Sequence, residues 1–101
     1  MTTKPKNPDD HVAPTTPSNL SGYGVNDGST EIDLTWDQST DDLDPQWVIK
    51  YNVYVNGVLT DTVVGTGRSV VYGVFGTNTI TVEAVDSAGN TSPPATIVVV
   101  I

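Results

Sequence analysis

Acidic side chains crowd the segment from residue 37 to residue 44, where residue types suited to chemistry lie closest together. Oxygen ligands at alternate positions are typical of a calcium-binding loop. The standard twelve-residue calcium loop has glycine at its sixth position and glutamate at its twelfth, where this segment has Asp42 and Val48. A solvated acidic loop is the alternative, and the turn segment 86–90 is expected at the same end of the fold. The candidate calcium ligands are Asp37, Ser39, Asp41, Asp42 and Asp44.

The sequence predicts no catalytic site and no cofactor. Glycoside hydrolysis needs two carboxyl groups roughly 5 to 10 Å apart across a sugar-binding cleft, whereas Asp41 and Asp42 are neighbours on a loop. His11 is the single histidine, and its spacing from the serines and aspartates suggests no nucleophile with its base. The glycines at positions 65 and 67 precede no helical pattern, which argues against a phosphate-binding loop.

Two aromatic residues are candidate carbohydrate ligands. Trp47 lies where the acidic loop meets a predicted strand, and Tyr54 is expected to point away from the core. Exposed aromatic rings can stack on the apolar faces of sugars. The alternative is structural: Trp47 would fold over the rim of the core, and Tyr54 would pack against a cross-strand neighbour on an outer sheet face.

Charge and composition narrow the partner classes. Twelve acidic residues against four basic ones give a net charge of -8, which disfavours binding to nucleic acid or to anionic membranes. The sequence has no cysteine, so disulfides and thiolate metal sites are excluded. No apolar run approaches the roughly 18 residues of a membrane span, and residues 1–4 do not lead into the apolar stretch of a signal peptide.

Alternation of apolar and polar residues predicts six or seven short strands and no helix. One segment combines such a strand with a turn cluster at 86–90 and a returning apolar run at 95–101, which predicts an antiparallel hairpin. Asn56-Gly57 predicts a second, tight hairpin, because both central residues of its turn need positive φ. The residues expected to face the core are Ile32, Leu34, Trp36, Ile49, Tyr51, Val53, Val55, Ile80, Val82 and Ala84.

These elements predict one domain. Residues 1–12 contain two prolines and no apolar periodicity, which is typical of a tail or interdomain linker. Residues 13–101 are predicted to form an all-β, seven-stranded antiparallel Greek-key sandwich that is monomeric. The prolines at positions 14 and 17 place the first strand at a sheet edge.

Four motifs in order resemble the fibronectin type III family: Pro14-x-x-Pro17-x-x-Leu20, Ile32-x-Leu34-x-Trp36, Tyr51-x-Val53-Tyr54-x-Asn56-Gly57, and Ile80-x-Val82-x-Ala84-Val85-Asp86-x-Ala88-Gly89-Asn90. The pattern is most similar to bacterial modules that lie between the catalytic and carbohydrate-binding domains of secreted polysaccharide-degrading enzymes. The resemblance implies a secreted or cell-surface, non-catalytic accessory or spacer module, with neighbouring domains of the same polypeptide as its partners. Two alternatives are a carbohydrate-binding module and a surface or virion attachment domain.

One position departs from the family pattern. Family members usually carry a tyrosine at the start of the sixth strand, where its hydroxyl ties back to the preceding loop. Asn78 occupies that position here. Either Tyr72 or Phe75 fills the bend in its place, or Asn78 makes the backbone hydrogen bonds itself.

Overall fold

A computed structural model describes residues 11–101 of the chain. The predicted tail, residues 1–12, therefore lies outside the described residues except for His11 and Val12. The described part forms seven strands and one short 3-10 helix, Gln46–Val48, and none of its helices is long and apolar enough to span a bilayer. The strands are β1 Ser18–Gly24, β2 Glu31–Asp37, β3 Lys50–Val55, β4 Val58–Val64, β5 Arg68–Tyr72, β6 Thr77–Val85 and β7 Ala95–Val100.

The strands form two antiparallel sheets, which confirms the predicted all-β sandwich. One sheet has the order β1-β2-β5, and the other has the order β4-β3-β6-β7. The hairpin predicted around the turn at 86–90 is β6-β7, and its strands pair from Thr77 beside Val100 to Val82 beside Ala95. The edge position expected for the first strand is confirmed as well.

The core lies between the sheets, and every residue predicted to face it is buried. The alternation in β2, β3 and β6 places one side of each strand against the other sheet, because successive side chains point to opposite faces. The rings of Trp36 and Tyr51 meet across the core with their centroids 5.4 Å apart. Burying each aliphatic core side chain, such as that of Ile32 or Leu34, contributes about 1.5–3 kcal/mol. The core also includes Val71 and Val99.

The β3-β4 hairpin has the turn that its sequence predicts. Asn56 has φ of 51° and Gly57 has φ of 85°, as a two-residue turn of the primed type requires. Asn56 also ties the hairpin tip to β6, since its backbone N–H donates to Thr79 O at 2.8 Å and its Oδ1 accepts from Thr79 N at 2.9 Å. The turn is thus fixed both by its own conformation and by its neighbour.

Asn78 replaces the corner tyrosine by making the backbone hydrogen bonds itself. Its side chain is completely buried. Its Nδ2 lies within hydrogen-bonding distance of three carbonyl oxygens, those of Val74 at 2.9 Å, Gly76 at 3.2 Å and Val99 at 3.3 Å. Its Oδ1 accepts from Val74 N at 2.8 Å and from Asn56 Nδ2 at 3.3 Å.

The alternative explanation of this corner is wrong. Tyr72 and Phe75 are both exposed, so neither fills the bend between β5 and β6. Short side-chain amides can satisfy several backbone groups at once, because they carry two donors and one acceptor oxygen in a compact group. Of Tyr72, Phe75 and Asn78, it is therefore Asn78 that closes the corner.

The described chain runs from one end of the sandwich to the other. At the first end, Thr15 and Thr40 exchange two hydrogen bonds, which fasten the segment before β1 to the β2-β3 loop. At the opposite end, Gly76 and Ile101 exchange backbone hydrogen bonds of 3.0 and 2.9 Å. The positions where the chain enters and leaves the sandwich are therefore separated by the length of the strands.

Candidate functional site

The acidic segment forms the loop between β2 and β3, at the end of the sandwich where the chain enters. Ser39 fastens this loop to the core, because its backbone N–H donates to the Tyr51 hydroxyl at 2.8 Å. Its carbonyl also accepts from Gln46 Nε2 at 3.1 Å. Because Ser39 and Tyr51 are both buried, the bond between them is shielded from water. The loop is consequently held by the core rather than lying free on the surface.

Asp41 organises the next turn of the loop. Its Oδ2 accepts from the backbone N–H of Leu43 at 3.2 Å and of Asp44 at 3.1 Å. Burial raises the pKa of the Asp41 carboxyl above 3.8, and the negative charges of Asp86 and Asp42 act in the same direction. The hydrogen bonds to the two backbone N–H groups oppose this shift. The carboxylate therefore orders the turn, although burial disfavours its charged form.

Asp44 joins this loop to the β6-β7 loop. Its Oδ2 accepts from Ser87 N at 2.7 Å, and its Oδ1 accepts from Ser87 Oγ at 2.9 Å. Asp86 fixes the second loop internally, because its Oδ1 accepts from the backbone N–H groups of Ala88 at 3.0 Å and Asn90 at 2.8 Å. The two loops expected at one end of the fold therefore meet there.

The five candidate calcium ligands are not all brought together. Asp41 and Asp44 share a hydrogen-bonded turn, whereas Asp37 accepts from Asn19 Nδ2 at 2.6 Å beside the start of β1. Asp42 is exposed, and Ser39 is buried beneath the loop. Within residues 11–101, no three Asp, Glu, His or Cys side chains converge as a metal site requires. Calcium binding by this loop stays a prediction from the sequence.

Trp47 does not cap the core. It lies in the 3-10 helix at the end of the acidic loop, and 73% of its surface is exposed. Gly65, with φ of 64°, packs so closely against the Trp47 backbone that a Cβ there would stand 2.7 Å from Trp47 O. The indole is therefore a large apolar surface exposed to solvent above a closely packed backbone.

Tyr54 lies on the outer face of the four-stranded sheet, as its alternation predicts. Its hydroxyl donates to Glu83 Oε2 at 2.8 Å, and Asn52 Nδ2 donates to the same oxygen at 3.1 Å. Thr62 extends the network by donating to Asn52 Oδ1 at 2.9 Å. The hydrogen bond to Glu83 raises the pKa of Tyr54. These bonds are the cross-strand packing expected of Tyr54 in its structural role. Tyr54 lies near the end of β3 and Trp47 lies before its start, so the two aromatic residues are separated by about the length of that strand.

A second set of side chains, two exposed tyrosines and two half-buried carboxylates, was not predicted from the sequence. Tyr23 and Tyr72 both project from the outer face of the three-stranded sheet, with Glu31 and Asp33 between them on β2. The alternation of β2 already places both carboxylates on this face. Their proximity to the tyrosines depends on the register of β1 and β5, which single-strand patterns do not provide.

Comparison with known proteins gives one sequence relative. Over 84 residues the chain is 39% identical to Chitinase A1 of Niallia circulans. The match covers 82% of this chain but 11% of the chitinase, so the chain spans about a tenth of the length of the curated relative that it matches. The chain matches no protein-family model.

Solved structures share the fold. The Clostridium perfringens spore cortex lytic enzyme SleM matches with a TM-score of 0.71 and 20% identity, over 87% of this chain and 28% of that one. The central fibronectin-III array of RIM-binding protein matches with a TM-score of 0.66 and 25% identity, over 90% of this chain and 33% of the array. Together with the 3 + 4 sheet order, the similarity to the fibronectin-III array shows that the chain has the fibronectin type III fold.

Proposed function

We propose that this domain is a non-catalytic accessory or spacer module of a larger, secreted or cell-surface enzyme that degrades polysaccharide. The observation that carries the proposal is the match to Chitinase A1, in which 39% identity is confined to a segment of about one domain in a much longer protein. The similarity in fold to a spore cortex lytic enzyme is consistent with the same setting. Neighbouring domains of the same polypeptide are its expected partners.

The geometry of the sandwich suits a spacer. The chain enters beside Thr40 and leaves beside Gly76, at opposite ends. Both ends are fastened by hydrogen bonds, so the domain holds its neighbours apart by a fixed distance, which a flexible linker does not do. Asp44 is already engaged by Ser87 N and Ser87 Oγ, which favours a structural role for this carboxylate over a catalytic one.

A segment exchange tests this function. The 84-residue segment of Chitinase A1 that matches this chain is replaced in one chimera by this domain and in another by a Gly/Ser linker of similar reach. We expect the domain chimera to keep its hydrolysis of insoluble chitin and the linker chimera to lose much of it, while both hydrolyse soluble oligosaccharides. Equal activity of the two chimeras on insoluble chitin would disprove a spacer role. The isolated domain is expected to release no reducing sugar.

The exposure of Trp47 favours a second function, direct contact with carbohydrate. A tryptophan exposed to solvent above a closely packed backbone offers a stacking surface at little cost in conformational entropy. Trp36 is buried, so a Trp36→Phe variant leaves Trp47 as the single fluorescent indole. A shift of its emission on adding soluble polysaccharide would support contact, and an unchanged spectrum together with no retention on insoluble polysaccharide would exclude it.

A further inference from the structure

The outer face of the three-stranded sheet combines aromatic rings and carboxylates in one plane. We call it the tyrosine face, and it consists of Tyr23, Glu31, Asp33, Val70 and Tyr72. Strand register sets its layout: Asp33 stands between Tyr23 on β1 and Val70 on β5, and Glu31 stands beside Tyr72. Neighbouring strands are about 4.8 Å apart and residues rise about 3.4 Å each along a strand. The two tyrosines, two strands and two residues apart, therefore flank the acidic pair at a backbone separation of about 12 Å.

Both tyrosines are exposed, at 61% of their surface each, and each stands beside a carboxylate of the central strand. The Tyr23 hydroxyl donates to Asp33 Oδ2 at 3.4 Å. Tyr72 pairs with Glu31 in the strand register and acts to lower the pKa of Glu31. The two tyrosines therefore flank β2 from its two sides. The exposed Val70 lies on β5, across Asp33 from Tyr23, so the face combines three apolar groups with two carboxyl groups.

The two carboxyl groups crowd each other. Glu31 and Asp33 are two residues apart on one strand and thus share a face. Contact with the Asp33 carboxyl is the largest cause that raises the pKa of Glu31, followed by burial and by repulsion from Asp33 and Asp27. One oxygen of Asp33, Oδ1, is buried and accepts no hydrogen bond from the described residues. Arg68, beside Thr35, lies on the same face one row beyond Asp33.

A positively charged group placed between Glu31 and Asp33 would relieve this repulsion and would also lie beside two aromatic rings. Cations are attracted to the faces of tyrosine rings by about 0.5–1 kcal/mol at exposed sites. The net charge of -8 adds a long-range attraction for a cationic polymer and none for an anionic one. A sugar with a protonated amine presents both a ring that stacks and a cation.

We propose that the tyrosine face binds a polymer of glucosamine, with Tyr23 and Tyr72 stacking on its sugar rings and Glu31 and Asp33 accepting hydrogen bonds from its protonated amines. This proposal rests on the proposed function for its choice of a polysaccharide ligand. It differs from the contact considered for Trp47, because the tyrosine face lies on β1, β2 and β5 and requires a cationic sugar. Binding here would hold the enzyme on deacetylated stretches of its substrate.

Titration calorimetry with the hexamer of glucosamine, at a mildly acidic pH and low salt, tests the proposal. We expect Tyr23→Ala, Tyr72→Ala and Glu31→Gln each to weaken binding about tenfold or more, which corresponds to about 1.4 kcal/mol. Tyr72→Phe should keep most of the affinity, because the ring remains. All three side chains point away from the core, and unchanged thermal unfolding of each of the four variants would confirm that it is folded.

Matched controls separate this site from general electrostatics. Asp42→Asn removes the same charge as Glu31→Gln from an exposed loop, and Phe75→Ala removes an exposed ring at the end of the sandwich. Neither should change the affinity. The proposal is overturned if the wild-type domain does not bind the hexamer, if Asp42→Asn weakens binding as much as Glu31→Gln, or if the N-acetylated hexamer binds equally well. None of these outcomes alters the chimera result, so the spacer function stands or fails separately.

Discussion

Gly73 leaves the space that the side chain of Asn78 occupies. A Cβ on Gly73 would collide with Asn78 Oδ1 and would stand 2.7 Å from its Cγ and 3.1 Å from Ile32 Cδ1. The buried amide in turn binds the backbone of the bend that Gly73 begins, through Val74 N and O. A glycine and an asparagine five residues apart thus form the corner for which the family uses a tyrosine.

Asn78→Ala is expected to destabilise the domain by about 2–4 kcal/mol. The substitution removes a completely buried amide and with it the bonds to Val74 N, Val74 O and Val99 O. Each buried polar group that loses its partner costs about 1–3 kcal/mol. Urea unfolding followed by tryptophan fluorescence measures the change. Asn52→Ala is the control, because it removes an amide from a half-buried surface network and should cost about 1 kcal/mol or less. Equal losses in the two variants would contradict the role assigned to Asn78.

Gly73→Ala is expected to cost about 1–3 kcal/mol, as overpacking in a well-filled interior does. The cost should shrink when Asn78 is already alanine, because the colliding amide is then absent. A double-mutant cycle measures this coupling, and residues in contact typically give about 0.5–3 kcal/mol. Strictly additive stability losses of Gly73→Ala and Asn78→Ala would show that the space at Gly73 is not required by the Asn78 side chain.

The two tryptophans should behave in opposite ways. Trp36→Ala removes a buried ring that packs on Tyr51, and it should cost about 3–5 kcal/mol. Trp47→Ala removes an exposed ring and should change stability by about 0.5 kcal/mol or less, as surface substitutions usually do. Chemical denaturation of both variants provides the comparison. A loss below about 1 kcal/mol for Trp36→Ala would mean that the core is not centred on this residue.

The parts of the fold that could be predicted from the sequence are those fixed by local patterns. Alternation in β2 determines which of its side chains face the core, since a strand with one buried face tolerates no slip by one residue. Asn56-Gly57 determines its hairpin because few other residue pairs adopt positive φ twice in succession. Both features are encoded within a few consecutive residues, and both were confirmed.

The parts that could not be predicted depend on residues far apart in the sequence. The bonds of Asn78 require Val99 from β7 and the space at Gly73. The backbone of Trp47 packs against Gly65, 18 residues further along the chain, and the sequence left open whether Trp47 caps the core. The pairing of Tyr72 with Glu31 follows from the register between β2 and β5, which neither strand specifies alone.

Asp41→Asn is expected to stabilise the domain at neutral pH. Burial and nearby negative charges raise the pKa of Asp41 in the folded state above 3.8, so the folded domain holds this proton more tightly than the unfolded chain does. Ionisation therefore costs stability above the raised pKa, and the cost disappears as the pH falls below 3.8. Asparagine keeps an acceptor oxygen for the N–H groups of Leu43 and Asp44 and carries no charge.

Melting temperatures measured from neutral to acidic pH should show that Asp41→Asn is more stable than the wild type, by a margin that shrinks on acidification. Asp42→Asn, at an exposed position, should show a smaller advantage, and a variant less stable than wild type at neutral pH would contradict the assignment.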